Sequence, residues 1–160
     1  MESSSEGNGA PAAPIGPVLF AYDGSDLAQL AITEAGRQLA SGRDALVVCV
    51  WQPADVGFEP TGALHFDAND AGKVRKAAEE TAAHGASLAE QAGFKAQSVA
   101  IEAAPTWKGI IGVAEDRGAG IIVLGSHRRS GLVGHLLGSV TAAVAAHSAS
   151  SSVLIVHQPV

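Results

Sequence analysis

Residues 121–141 read IIVLGSHRRSGLVGHLLGSVT. Ile121, Ile122, Val123 and Leu124 make a short, unbroken apolar run of the length and composition of a buried strand. A basic, glycine-rich segment follows, and beyond Ser139 the residues become small and helix-compatible. Strand, glycine loop and helix start, in that order, make an anion-binding junction. Glycines let the backbone approach a ligand closely, the first amides of a helix lack partners within it, and the helix dipole favours negative charge at that end. Arg128 and Arg129 add formal positive charge.

Outward from this stretch, short β-branched runs alternate with segments of helical period. Residues 18–22 form the first expected strand, closed by Asp23-Gly24. Ser25 or Asp26 then caps a helix on which Leu27, Ala31, Ala35 and Leu39 recur every four residues, and Gly42 stops it. Residues 45–51 are almost continuously apolar, as a strand covered on both faces must be. A helix is expected over 70–91, weakened by Gly72 and Gly85. A strand over 95–101, a helix from Thr106 to Gly118, a strand over 120–124, a helix over 136–147 and a strand over 153–156 complete the chain.

This alternation specifies an α/β fold: a single doubly wound five-stranded parallel sheet with helices on both faces. Its binding crevice lies beyond the carboxyl ends of the strands, where the winding reverses. A reversal between the first and fourth strands sets Asp23 and Gly125 across the crevice from each other. Two segments stand outside the pattern. Residues 1–16, rich in Ser, Gly, Ala and Pro, are expected to be a disordered tail ahead of a single domain over 17–160. Residues 53–69 have no period and are long for a connection, which predicts an exposed loop or lid.

Composition narrows the function. A chain of 160 residues accommodates one ordinary domain. A net charge of −6 argues against binding nucleic acid or an anionic membrane. The apolar runs of about five to seven residues are far too short to span a bilayer. The first residues show no secretory pattern, so the cytoplasm is the expected location. Cys49 is the single cysteine, which excludes an internal disulfide and predicts a buried thiol. No Gly-x-x-x-x-Gly-Lys-Ser/Thr is present, no Gly-x-Gly-x-x-Gly follows the first strand, and Gly24-Ser25-Asp26 lacks the second glycine of a nucleophile elbow. The six histidines fall at no metal-ligand spacing and read as scattered surface imidazoles. Efficient catalysis is not expected.

Gly125, Gly138 and Ser139 occupy the first, last and closing positions of a pattern that runs glycine, two residues, glycine, nine residues, glycine, then serine or threonine. With Asp23 closing the first strand and the apolar run ending in Val50, the chain over 17–156 resembles the nucleotide-binding branch of the universal stress protein family. Arg128 stands where that pattern has its second glycine. The resemblance implies the adenine nucleotide alpha hydrolase-like fold and binding of ATP, with any Mg²⁺ held by the phosphates rather than by protein ligands. Val50 would offer backbone groups to the adenine edge, Ala21 and Leu124 would wall the ring, Asp23 would lie near the ribose, and Tyr22 would be a further nucleotide-binding residue. Gly125, Ser126, His127, Arg128, Arg129, Ser130 and Gly131 would wrap ribose and phosphates, with Gly138, Ser139, Val140 and Thr141 supplying helix-start amides and hydroxyls.

Each residue also has a structural reading. Asp23 suits a ribose diol, or a turn in Asp-Gly-Ser. Ala21, Val50 and Leu124 suit sheet core equally well, and a Gly-Ser pair is a common helix cap. Arg128 and Arg129 either grip phosphates bidentately or stand in solvent. Val153-Leu154-Ile155-Val156 forms an apolar final strand at a sheet edge, which the resemblance assigns to a homodimer contact. Three functions follow: a dimeric ATP-binding regulatory module, a partner-binding dimer of the same fold without nucleotide, and a weak ATPase in which Asp23 orients water.

Overall fold

The computed structural model of the chain describes residues 15–52, 68–126 and 137–159. Residues 1–14 of the tail expected over 1–16, most of the loop expected over 53–69, and the loop residues His127, Arg128, Arg129, Ser130 and Gly131 lie outside the described residues. The elements run β1 (Val18–Ala21), α1 (Asp26–Gln38), β2 (Asp44–Trp51), α2 (Ala68–Gln91), β3 (Lys95–Glu102), α3 (Thr106–Asp116), β4 (Ile121–Ser126), α4 (Ser139–His147) and β5 (Ser152–His157). All five strands are parallel in the order β3-β2-β1-β4-β5. The expected doubly wound sheet is therefore present, and its winding reverses between β1 and β4. Among the described residues no helix is long and apolar enough to cross a membrane.

β1 explains why the sheet has two covered faces. Val18, Leu19 and Phe20 are all buried, with at most 1% of each exposed. Side chains alternate along a strand. Val18, Phe20 and Tyr22 therefore pack in one cluster with Ala28, Ala31, Ile32 and Ala35 of α1 and Ala89 of α2. Leu19 and Ala21 pack on the opposite face with Ile110 and Ala114 of α3 and Val144 of α4. Phe20 meets Phe94 edge to face, with ring centroids 5.3 Å apart. Cys49 is buried, as expected.

Several boundaries move, each for a local reason. β1 ends at Ala21, although the Tyr22 amide still donates to the Val48 carbonyl at 2.9 Å. α1 ends at Gln38, before Gly42, which instead turns the chain into β2 with φ 81°. α2 begins two residues earlier than expected, at Ala68. β4 continues through Gly125 and Ser126 because β5 reaches far enough to pair with both, at Val156 and His157. α4 correspondingly starts at Ser139 rather than 136.

Two histidines, exposed as expected, also have defined partners. Tyr22 Oη and His84 Nδ1 form a hydrogen bond of 2.8 Å that ties β1 to α2. His147, at the end of α4, stacks on Trp107 of α3 with centroids 4.3 Å apart and planes 11° from parallel.

Gly85 shows why α2 tolerates a residue that weakens it. A Cβ there would lie 2.6 Å from Tyr22 Cδ1 and 2.7 Å from Val47 Cγ1. The helix can thus approach the sheet only with no side chain at this point. Gly85→Ala is expected to lower stability by about 1–3 kcal/mol in urea denaturation, overpacking outweighing a helix-propensity gain of about 1 kcal/mol. Unchanged or raised stability would contradict this packing.

Candidate functional site

Beyond Ala21, β1 turns away at Asp23-Gly24, while β2 and β4 run on. The last β1–β2 register pair is Ala21 with Val48. Val50, two residues further along β2, therefore stands where its β1 neighbour has left. Asp23 Oδ1 accepts from the Ser25 amide at 3.0 Å, and Ser25 Oγ accepts from the Ala28 amide at 3.2 Å. The Asp-Gly-Ser turn and the cap of α1 are thus one linked structure, with Gly24 at φ 83° supplying a bend that glycine makes without strain. Ser25, not Asp26, is the cap.

The gap left at the reversal is a cleft of about 160 Å³. Ala21, Val48, Val50 and Leu124 supply its apolar lining from the strands. Three helix starts converge on it: Ser25, Leu27 and Ala28 of α1, Thr106 and Ile110 of α3, and Val140 and Thr141 of α4. The N-cap residues of α3 and α4, Pro105 and Gly138, make no side-chain cap bond to the first amides of their helices. Asp23 is the only charged residue lining the cleft among the described residues. Tyr22 contributes too; burial holds its phenol above the ordinary pKa of 10.0 against an opposing hydrogen bond with Gln29, so it stays neutral at physiological pH.

Of the residues singled out from sequence, Ala21, Tyr22, Asp23, Val50, Leu124, Gly125, Val140 and Thr141 meet in this cleft. Ser126 does not line it: its side chain is buried and Oγ accepts from the Gly138 amide at 3.4 Å. Thr141 Oγ1 donates to the Gly125 carbonyl at 3.3 Å. Together these bonds pin the start of α4 to the end of β4. Gly138 and Ser139 adjoin the cleft without lining it. Sequence reading missed Ser25, Leu27, Ala28, Val48, Thr106 and Ile110 as cleft residues, because an apolar strand residue and a helix start carry no mark of the side they face. Among the described residues no group of three His, Cys, Asp or Glu is placed to hold a metal ion.

Gly125 has a more specific reason than backbone access to a ligand. A Cβ there would lie 2.7 Å from Leu27 Cγ and 2.9 Å from the Leu27 carbonyl oxygen. The glycine thus lets β4 slide beneath the first turn of α1.

The family model for the universal stress protein family matches residues 14–157. No curated protein matches the chain significantly. Among solved structures, the hypothetical protein MJ0577 is 24% identical, with a TM-score of 0.69 over 92% of this chain and 99% of that one. A universal stress protein solved in complex with cAMP is 26% identical, with a TM-score of 0.64 over 92% of this chain and 100% of that one. A universal stress protein from Archaeoglobus fulgidus in complex with dAMP is 21% identical, with a TM-score of 0.54 over 88% of this chain and 96% of that one.

Gly125→Ala is expected to cost about 1–3 kcal/mol of stability by driving α1 away from β4. Gly138→Ala, where a Cβ meets nothing within 4 Å among the described residues, is expected to change stability by well under that. Urea midpoints for the two variants check the contrast, and equal midpoints would refute it.

Proposed function

The chain belongs to the universal stress protein family, and from that premise we propose that it is a cytoplasmic ATP-binding regulatory module whose function is binding rather than turnover. The observation that carries this reading is the order of groups across the sheet. On the β2 side lies an apolar wall of Val48, Val50 and Ile110, suited to an adenine ring. Asp23 stands in the middle, with a carboxylate suited to a ribose diol. On the β4 side, the first turn of α4, at Val140 and Thr141, whose N-cap glycine makes no side-chain cap bond, suits a phosphate. Base, sugar and phosphate chemistry thus follow one another in the order a nucleotide presents them. The cAMP and dAMP held by family relatives support an adenine ligand. His127, Arg128, Arg129, Ser130 and Gly131 would close over the phosphates, with Gly138 and Ser139 leading into α4, and Mg²⁺ would be carried by the phosphates.

Titration of the protein with ATP and Mg²⁺ is expected to give saturable heat below millimolar ATP, and acid denaturation of freshly purified protein to release adenine nucleotide. Asp23→Asn keeps an acceptor for the Ser25 amide while removing the charge. It should therefore weaken binding about tenfold without unfolding the turn. An absence of heat at millimolar ATP would end this reading in favour of a partner-binding dimer without nucleotide.

The assembly we propose is a homodimer through β5. This strand lies at the sheet edge, with Val153, Leu154 and Ile155 each only partly covered. An apolar edge of this kind invites pairing with a second copy. Light scattering after size exclusion is expected to return twice the chain mass at micromolar concentration, and a monomer there would overturn the assignment.

A further inference from the structure

Most polar side chains lining the cleft are engaged with the protein itself. Asp23 Oδ1 accepts from the Ser25 amide, Ser25 Oγ accepts from the Ala28 amide, Thr141 donates to the Gly125 carbonyl, and Tyr22 pairs with His84. Thr106 differs in position, because the Ser25 hydroxyl, which also only accepts, lies beside Asp23 at the cap of α1. Thr106 is the first residue of α3, half-buried, and its Oγ1 accepts a hydrogen bond of 3.3 Å from Gln52 Nε2. A hydroxyl that accepts from an amide still has its own hydrogen to donate. Among the described residues the Thr106 hydroxyl makes no hydrogen bond other than that with Gln52.

Position decides what that hydrogen meets. Val48, Val50 and Gln52 alternate on one face of β2 and its continuation, the face covered by α3. Thr106 thus sits beside Val50 at the β2 end of the cleft, away from the α4 end. On the nucleotide reading above, on which this inference rests, that is the base end. A purine presents hydrogen-bond acceptors there as ring nitrogens, and an apolar wall makes one well-placed donor discriminating, because an unmatched polar group in it has no water to turn to. We infer that Thr106 is a base-reading residue, its hydroxyl turned by the Gln52 amide to donate to a ring nitrogen of the bound adenine.

The test compares ATP with its 1-deaza, 3-deaza and 7-deaza analogues, each lacking one ring nitrogen, on the full-length parent, Thr106→Val and Thr106→Ser. Calorimetry supplies the affinities, and melting curves check that all three proteins are folded. In the parent, one analogue should bind about fivefold more weakly than ATP because the Thr106 bond is lost. Thr106→Val should bind ATP about fivefold more weakly and should no longer distinguish that analogue from ATP, while Thr106→Ser restores both properties. Thr106→Val with the affinity of the parent, or a loss that leaves every analogue penalty in place, would overturn the inference and reduce the Gln52–Thr106 bond to a tie between β2 and α3. A parent that binds no ATP would instead remove the nucleotide reading itself, so the two failures are distinct.

Discussion

The four residues of β1 touch both layers of the molecule, and their burial is the constraint from which the architecture follows. Three of them are at most 1% exposed. A buried backbone must have its amides and carbonyls paired, so β1 requires a strand on each side. Those neighbours are β2 and β4, and the chain reaches them by crossovers that run in opposite directions along the sheet. Because the connections depart on opposite sides, none covers the end of β1. The cleft is therefore a geometric consequence of where the most buried strand sits.

What surrounds the cleft is governed by the polarity of helices. In a parallel sheet every helix that follows a strand begins at the carboxyl edge, so the starts of α1, α3 and α4 gather there. Their unpaired amides and aligned dipoles make that edge hospitable to negative charge. Asp23 is the exception in sign. Its carboxylate holds the Ser25 amide, linking the turn to the cap of α1, and stands beside the apolar wall of the cleft. The Ser126 and Thr141 hydroxyls are directed inward, holding the two ends of the basic glycine segment together. The site is thus shaped by bonds that its own polar residues make to the scaffold.

Much of this was legible from one chain. The continuous apolar character of residues 45–51 announced a strand covered on both faces, and β2 is one. The four-residue spacing of Leu27, Ala31 and Ala35 announced the buried face of α1. Asp23 and Gly125 were expected across a crevice, and both line it. Other features were hidden. Gly85 reads in sequence as a flaw in a helix, and only the nearness of Tyr22 and Val47 reveals it as a fit. Gly125 reads as a flexible loop entrance, yet it lies within β4 under the Leu27 carbonyl. His84 and His147 have no distinguishing neighbours along the chain; their partners lie 62 and 40 positions away.

Local patterns along the chain were enough for the order of strands and helices, the burial of the sheet on both faces and the glycine-bearing junction after the fourth strand. These depend on periodicity and on the conformational preferences of neighbouring residues, which are local. Which strand ends lie open to the cleft, that Leu27, Val48, Thr106 and Ile110 join it while Ser126 turns away, and that two glycines serve close packing emerged from the packed layers alone. Those outcomes depend on distances between residues far apart in the chain, and such distances arise only when the layers pack against one another.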